Sequence, residues 1–399
     1  MSLPPDPPAH LRTPEAAHPS ASEGAASQVR VLKPSLFQRI KTDPRAPVAF
    51  FLAGFLFDAF VTERPDTALQ IIHQSIYLFL ITLLLSAAVL DTYGLFKVPE
   101  KPKFLKKAWS YHEHASQFLI GTLLNVYMFF YFKSGSLLSS IIFIAFVAGL
   151  LIANEFVHLK SRQIILKLAL YFLCVTSFWL YVIPMLLGTV GIFAFGLTLV
   201  MANIFVLVTY KIVEQSILAH PESARVRNEI RKKVLGTGYG VIGVFAVFYL
   251  LGIIPPVPLS LKYIGVFHSI RKDQGEYVLT SNRSKWLFWQ NGDQSFFARP
   301  GDQIVTFVRV FAPNGFRDQL QVRWMLHTAN GWQKQDVIPI AVNGGREHGF
   351  RGYTVKSNYQ PGDYRVQVET TDGREIGRIG LTVETDNGVE VRENSEIRQ

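Results

Sequence analysis

Cysteine is nearly absent from this chain, since Cys174 is the single one among 399 residues. A disulfide framework and a thiolate metal site are therefore excluded, and any exported domain must be stable through its core alone. Charged residues are also scarce, at 18% of the sequence. The sequence has no P-loop, no glycine-rich nucleotide turn after a strand and no Ser-His-Asp spacing. We therefore predict no cofactor, and we expect a role other than catalysis.

Long apolar runs, by contrast, are plentiful between residues 46 and 258. In Ile164–Val208 the only charged residue is Lys167. As one helix this run would be roughly twice the length needed to cross the ~30 Å hydrocarbon layer of a bilayer. Pro184 and Gly188 interrupt it, so we interpret it as two helices separated by a turn. The pattern predicts an all-α membrane bundle.

Seven membrane-spanning helices are predicted from hydropathy. Their approximate bounds are Ala46–Val61, Ala68–Val89, Ser116–Phe132, Leu137–Val157, Ile164–Met185, Gly188–Tyr210 and Leu235–Ile254. Seven spans place the two ends of the bundle on opposite sides of the membrane. Residues 1–45 precede the first span and are predicted to be a disordered cytoplasmic tail, because the first 29 are rich in Pro, Ala, Ser and His.

The distribution of basic residues orients the predicted bundle. The loops after the second, fourth and sixth spans hold 13 Lys and Arg, whereas the other loops hold only Arg64 and Lys133. Because cytoplasmic loops carry the excess of positive charge, the N-terminus is predicted in the cytoplasm and everything beyond Pro255 in the periplasm. The net charge of +10 follows from these loops. The predicted partner is the lipid bilayer of the inner membrane, and no nucleic acid is required.

From residue 259 to 385 the pattern changes to short alternating runs separated by turns. The predicted strands are Lys285–Trp289, Gln303–Phe311, Leu320–His327, Gln335–Val342, Gly352–Ser357, Asp363–Thr370 and Glu375–Val383. Asn-Gly, Pro-Gly and Asp-Gly pairs lie between most of them. Short strands at this spacing predict an all-β sandwich of the immunoglobulin or fibronectin type. Residues 386–399 are predicted to be a disordered tail.

The stretch Val322–Glu384 resembles a family of bacterial domains of unknown function, numbered 2914. The resemblance is carried by Val322-Arg323-Trp324, Trp332, Phe350-Arg351-Gly352-Tyr353 and Gly362-Asp363-Tyr364-Arg365-Val366, followed by Gly373, Ile376 and Leu381-Thr382-Val383. Several bacterial membrane proteins carry such a domain after a block of membrane spans, and their arrangement is similar to the one predicted here. The resemblance implies a location in the inner membrane and periplasm, and it implies no catalytic residue.

Aromatic residues are dense in this β-region, and some of them interleave with arginine. Such a pattern can form a platform for a protein, peptide or glycan, although aromatic residues in a small sandwich more often form its core. The candidate ligand-binding residues are Trp324, Trp332, Arg351, Tyr353 and Tyr364. The leading hypothesis is therefore a membrane protein whose β-region binds a partner. The alternative is a membrane-embedded enzyme or transporter with the β-region as an accessory.

A His/Glu cluster at the predicted cytoplasmic surface is the other candidate site. His112 and His114 precede the third span, and Glu155 and His158 end the fourth. Glu155 and His158 are spaced as in carboxylate-bridged di-iron bundles, but those sites need the Glu-x-x-His motif twice. Neighbouring lysines would also repel a divalent cation. We therefore predict no metal site here.

Overall fold

The computed structural model describes residues 68–96, 103–135, 160–218, 224–283, 286–287, 289–346, 348–388 and 395–399, together with residues 142, 145, 146 and 150. The predicted tail 1–45 and the predicted span Ala46–Val61 lie outside the described residues. Apart from those four single residues, so does the predicted span Leu137–Val157.

Six helices are described, and five of them are long and apolar enough to cross a membrane. They are α1 (Ala68–Thr92), α2 (Lys103–Trp109), α3 (His112–Ser134), α4 (Lys160–Leu187), α5 (Ile192–Leu218) and α6 (Ala224–Leu250). The short helix α2 is the exception. Five of the seven predicted spans thus correspond to α1, α3, α4, α5 and α6.

The predicted break in the longest apolar run is present, but it lies after Pro184. This proline is inside α4, and the helix ends three residues later at Leu187. Gly188 has a φ of +72°, a conformation that favours glycine, and its N–H donates to the Pro184 carbonyl over 2.9 Å. The turn of the chain is therefore made by Gly188.

Helix α4 lies at the centre of the bundle and packs against α1, α3, α5 and α6. Its side chains fill the core, and Cys174 is fully buried among them. The Tyr171 hydroxyl is 2.7 Å from the Thr82 hydroxyl of α1 and 3.1 Å from the Thr209 hydroxyl of α5. This polar chain joins three helices, as hydroxyl groups do in apolar bundles.

Eleven strands are described in the C-terminal region: β1 (Ser260–Phe267), β2 (Ser269–Asp273), β3 (Glu276–Ser281), β4 (Ser295–Ala298), β5 (Ile304–Phe311), β6 (Arg317–Thr328), β7 (Gly331–Asn343), β8 (Phe350–Lys356), β9 (Gly362–Thr370), β10 (Glu375–Thr385) and β11 (Ser395–Arg398). They form a five-stranded sheet in the order β4-β10-β9-β6-β7 and two three-stranded sheets, β1-β5-β8 and β11-β3-β2. All pairs are antiparallel except β10 with β4.

The sheet β1-β5-β8 shares one core with the five-stranded sheet and a second core with β11-β3-β2. The first contains Ile264, Val308, Val322, Trp324 and Val366 among others. The second contains Phe267, Leu279, Val305 and Phe307. Alternate residues of β5 enter different cores, so this strand is buried on both faces.

Two sequence predictions differ from these strands. Residues 286, 287 and 289 of the predicted strand Lys285–Trp289 lie outside any strand, and Trp286 is 85% exposed. Residues Ser395–Arg398, predicted as part of a disordered tail, pair with β3 instead. Arg271 of β2 holds Glu396 through an ion pair of 2.9 Å, which fastens this polar segment to the sheet.

The β-region contacts the turn between α4 and α5. The Arg317 N–H at the start of β6 donates to the Gly188 carbonyl over 2.8 Å, and the Val190 N–H donates to Asp318 Oδ2 over 3.0 Å. A Cβ on Gly188 would lie 2.7 Å from the Gly315 carbonyl oxygen, so only glycine allows this approach. These hydrogen bonds place the start of β6 at one end of the bundle.

A second contact joins the last turn of α6 to the β9–β10 turn. The Tyr249 hydroxyl donates to Asp372 Oδ2 over 3.0 Å, and Arg374 Nε donates to the same oxygen over 2.9 Å. The Arg374 guanidinium lies 4.8 Å from the Tyr249 ring centroid. Burial raises the pKa of Asp372, but Arg374 and the hydrogen bonds outweigh burial, so the pKa lies below its ordinary value.

Candidate functional site

The five predicted ligand-binding residues do not come together. Trp324 and Tyr364 point into the core, Trp332 lies on the outer face of the five-stranded sheet, and Arg351 and Tyr353 lie on β8 of another sheet. The alternation of side chains along a strand explains this separation. A single platform made of all five is therefore not formed.

Trp324 is a core residue, because its side chain is fully buried. Its ring meets the Tyr364 ring edge to face, with centroids 5.9 Å apart. Tyr364 is also buried, and its hydroxyl donates to the Gln360 carbonyl over 3.1 Å. These two aromatic rings stabilise the packing of β6 on β9.

Arg351 is engaged by the chain itself. Its guanidinium donates to the Gln399 carbonyl oxygen over 2.9 Å and to the Gly275 carbonyl oxygen over 3.3 Å. It also lies 5.7 Å from the centroid of Tyr277, whose ring is 6.0 Å from that of the exposed Tyr353. Arg351 thereby ties β8 to the end of β11 and to the β2–β3 turn.

Trp332 lies in a surface groove, which the buried Tyr364 also lines. It faces His327 across the β6–β7 pair, with ring centroids 4.9 Å apart, and it is 37% exposed. The Arg365 guanidinium reaches across β6 and lies 4.1 Å from the Trp332 ring centroid. This cation–π contact holds the indole in place while part of its surface stays accessible.

Polar residues of β9, β10 and the segment before β4 continue the groove. Thr382 donates to Asp363 Oδ1 over 2.7 Å, and Gln294 Nε2 donates to the Gly380 carbonyl over 3.2 Å. A Cβ on Gly380 would have one neighbouring atom within 4 Å, the Tyr364 carbonyl oxygen at 3.9 Å, so glycine keeps the floor open. The groove has a volume of about 390 Å³.

The groove lies far from the helices along β6. Arg317 begins this strand at the α4–α5 turn, and His327 is close to its other end. Ten residues of strand correspond to roughly 33 Å, at about 3.3 Å per residue. The groove is therefore at the end of the five-stranded sheet that is remote from the bundle.

Sequence reasoning did not choose His327, Asp363, Arg365, Gly380 or Thr382 as site residues, although three of them belong to the motifs that carry the family resemblance. One signal was available, because Asp363 and Arg365 alternate with the apolar Tyr364 and Val366 and so share the solvent face of β9. The strand order of the sheet brings β7, β6, β9 and β10 side by side. That order is a tertiary feature, and local alternation does not contain it.

The His/Glu cluster is only partly described. His112 Nδ1 is 2.7 Å from the Trp109 carbonyl oxygen, and the two rings stack with centroids 4.2 Å apart. Glu113 accepts from Lys167 over 3.1 Å. Glu155 and His158 lie outside the described residues. Within the described part of the chain, no group of three or more His, Cys, Asp or Glu side chains is arranged to hold a metal ion.

The family described as "Protein of unknown function (DUF2914)" matches residues 317–383, from the first residue of β6 into β10. The resemblance predicted for this region is confirmed. The match contains the groove residues of β6, β7, β9 and β10, whereas Gln294 lies before it. No curated protein matches the chain.

Two solved structures show limited similarity. An immunoglobulin-like protein from Pseudomonas aeruginosa is 10% identical, over 32% of this chain and 98% of that one, with a TM-score of 0.21. The Pseudomonas fluorescens alkylpurine DNA glycosylase AlkC bound to DNA containing an abasic site analog is 10% identical, over 78% of this chain and 98% of that one, with a TM-score of 0.19. At these TM-scores neither similarity defines the fold or function of this chain.

Proposed function

We propose that this chain is a multi-pass protein of the bacterial inner membrane whose periplasmic β-region binds a glycan in the groove around Trp332. In this proposal seven helices span the membrane, the N-terminus is cytoplasmic, and the β-region is an immunoglobulin- or fibronectin-like sandwich. Binding a protein or peptide partner, which the sequence allows equally, is the competing outcome of the test below.

The distribution of charge along the helices supports the orientation. Basic residues gather in α2 and at the start of α6, at helix ends opposite those that contact the β-region. At the end that faces the β-region, Lys133 is the basic residue of α3. Cytoplasmic flanks of membrane helices carry this excess of Lys and Arg, so the β-region belongs on the periplasmic side.

The observation that carries the proposed ligand class is the chemistry of the groove. A partly exposed indole lies beside side chains that supply both hydrogen-bond donors and acceptors: His327, Asp363, Arg365, Gln294 and Thr382. Hydroxyl groups of a sugar both donate and accept, which this mixture satisfies. Among the described residues at the groove, the Asp363 carboxylate and the Arg365 guanidinium balance each other in charge, so a neutral oligosaccharide fits better than a polyanion.

Neutral oligosaccharides on an array are the direct test of this groove. The full chain, purified in detergent, is expected to bind a subset of them, and Trp332→Ala is expected to lower that affinity at least about tenfold, as loss of an aromatic anchor does. The control is Trp289→Ala, because Trp289 is 65% exposed and does not line the groove. Equal binding by Trp332→Ala and wild type would refute the proposal.

A library of extended peptides distinguishes the competing reading. If peptides bind, if oligosaccharides do not, and if Trp332→Ala removes peptide binding, the groove is a peptide site.

Alkaline phosphatase fused after Gln399 tests the orientation separately and is expected to be active. An inactive fusion would place the β-region in the cytoplasm.

A polar line inside the bundle favours the alternative of a membrane-embedded transporter or enzyme. Gln74 of α1 is 3% exposed, and neither atom of its amide has a hydrogen-bond partner within the described residues. Thr82 and Ser86 follow on the same helix, and Thr82 continues to Tyr171. Unpaired polar groups in hydrocarbon cost several kcal/mol, which makes a purely structural role expensive.

Gln74→Leu tests this alternative. If the amide is kept for activity, its removal is expected to raise the thermal stability of the purified protein, since an unpaired buried amide is lost. Gln70→Leu, one turn earlier on α1, is the control for added hydrophobicity. A drop in stability for Gln74→Leu would show a structural role for the amide and would weaken the alternative.

A further inference from the structure

A second and larger cavity lies where the bundle meets the β-region. It has a volume of about 750 Å³ and is lined by the end of α3, the start of β1 and the start of β10. Three of its lining side chains are cations, Lys133, Lys262 and Arg378. Neither the proposed glycan groove nor the polar line in the bundle includes any of these residues.

Both strands that line this cavity are irregular at this place. In β1 the pairing with β5 passes from Leu261 directly to Tyr263 and leaves Lys262 out of register. In β10 the pairing with β9 passes from Glu375 to Gly377 and leaves out Ile376. β-Bulges of this kind redirect side chains and are frequent beside functional sites. Two bulges at one cavity therefore indicate a shaped site.

The glycine in the second bulge brings the two strands together. A Cβ on Gly377 would lie 2.5 Å from Leu261 Cδ2, so a side chain there would displace the Leu261 side chain of β1. Glycine thereby allows β1, an edge strand of its sheet, and the start of β10 in the five-stranded sheet to approach closely. The approach places the bulged Lys262 of β1 and Arg378 of β10 on the same cavity.

Positive charge exceeds negative charge in this cavity. Among the described residues that line it, Glu375 is the one carboxylate, and it already accepts from Arg378 Nε over 2.7 Å and from Gln367 Nε2 over 3.1 Å. Lys133 and Lys262 both line this cavity, where their like charges disfavour each other. An anion between them would relieve this repulsion, which a neutral ligand would not do.

The cavity opens beside apolar surface at the end of α3. Phe132 lines it and is 56% exposed, and Phe129 lies one turn below with Lys133 Nζ 3.8 Å from its ring centroid. Cations beside exposed phenylalanines at the end of a membrane-length helix match a ligand with an anionic head and an apolar tail. A soluble anion would use the cations but would gain nothing from the phenylalanines.

The geometry points to a binding site for the phosphodiester headgroup of an anionic phospholipid, held by Lys133, Lys262 and Arg378 with the acyl chains along Phe132 and Phe129. This inference rests on the membrane placement proposed above and is independent of the glycan groove. Bound lipid would bridge α3, β1 and β10. The site would thus make the attachment of the β-region to the bundle sensitive to the charge of the outer leaflet.

Native mass spectrometry of the delipidated full chain measures the binding. Phosphatidylglycerol is expected to bind more tightly than phosphatidylcholine. Lys262→Gln and Arg378→Gln are each expected to weaken phosphatidylglycerol binding about fivefold, the effect of one basic residue on an anionic lipid. Lys272→Gln is the matched control, because this lysine is exposed on β2 and does not line the cavity. Equal affinity of all three variants and wild type would overturn the inference.

Because a misfolded variant would also lose affinity, a variant that is expected to gain affinity provides a second test. Glu375→Gln removes the Glu375 carboxylate from the cavity and is expected to tighten phosphatidylglycerol binding, whereas Lys262→Arg is expected to keep it. Inorganic phosphate at millimolar concentration is expected not to compete, and full competition would overturn the lipid headgroup in favour of a free anion. If the chain does not insert into vesicles at all, the membrane placement itself fails. If it inserts without preferring phosphatidylglycerol, this inference alone fails.

Discussion

Trp324→Ala is expected to lower the free energy of unfolding of the β-region by about 3–5 kcal/mol. The indole is fully buried, meets Tyr364 edge to face and has Lys356 Nζ 5.6 Å from its centroid. A tryptophan buries about 150–250 Å², which at about 25 cal/mol per Å² corresponds to about 4–6 kcal/mol. Because unfolded chains already bury part of their apolar surface, the lower range is the better estimate.

Urea denaturation of residues 259–399, followed by far-ultraviolet circular dichroism, measures this loss. The matched control is Trp332→Ala, which truncates a tryptophan of the same sheet on its outer face. Since Trp332 is 37% exposed, its removal is expected to cost no more than about 1 kcal/mol. The difference between the two variants therefore separates the core tryptophan from the groove tryptophan.

Trp324→Phe gives a finer test of the same packing. The indole N–H has no hydrogen-bond partner within the described residues, and an unpaired buried donor costs about 1–3 kcal/mol. Phenylalanine removes this donor while it keeps most of the apolar area, so the variant is expected to be much less destabilised than Trp324→Ala. If Trp324→Ala were no more costly than Trp332→Ala, the assignment of this ring to the core would be wrong.

Three further variants are expected to change the stability of the protein. Since the pKa of Asp372 is lowered in the fold, its contribution to stability is present at neutral pH and is lost as the pH falls below about 4. The melting temperature of Asp372→Asn should therefore fall less steeply at acid pH than that of the wild type. An equally steep fall in the variant would contradict this. Removal of residues 395–399 should destabilise the β-region by roughly 2 kcal/mol through lost pairing with β3, whereas a truly disordered tail would have no effect. Tyr171→Phe should cost about 1 kcal/mol in detergent, because it breaks two hydroxyl contacts between helices.

Strands β5 to β10 were predictable because each carries a signal in its own residues. In β6, Leu320, Val322, Trp324 and Leu326 alternate with Gln321, Arg323 and Met325, and glycine-containing turns bound the run. The same alternation assigns Trp324 to the buried face together with the three aliphatic residues. The pattern of its own strand therefore already predicted that Trp324 is buried, which argues against a role in ligand binding.

Three of the strands that sequence reasoning missed, β1, β2 and β11, lack such a signal. β1 is buried at four consecutive residues because it packs between two sheets, so it shows no alternation. β2 and β11 are short and polar, with the sequences SIRKD and SEIR, and they are ordered through pairing with β3. Tertiary partners decide the structure of these segments, and local propensity does not reveal such partners.

The length of β6 and β9 determines whether variants at the two ends of the five-stranded sheet act independently on stability. β6 and β9 run between the bundle, where Arg317 and Asp372 make their contacts, and the groove, where His327 and Asp363 lie. Residues more than about 10 Å apart that share no partner change stability additively. Variants in the groove and variants at the junction are therefore expected to act additively on stability. If lipid at the junction altered ligand binding in the groove, the sheet would have to transmit a change through its strands, and the double variant Trp332→Ala with Lys262→Gln would then depart from additivity.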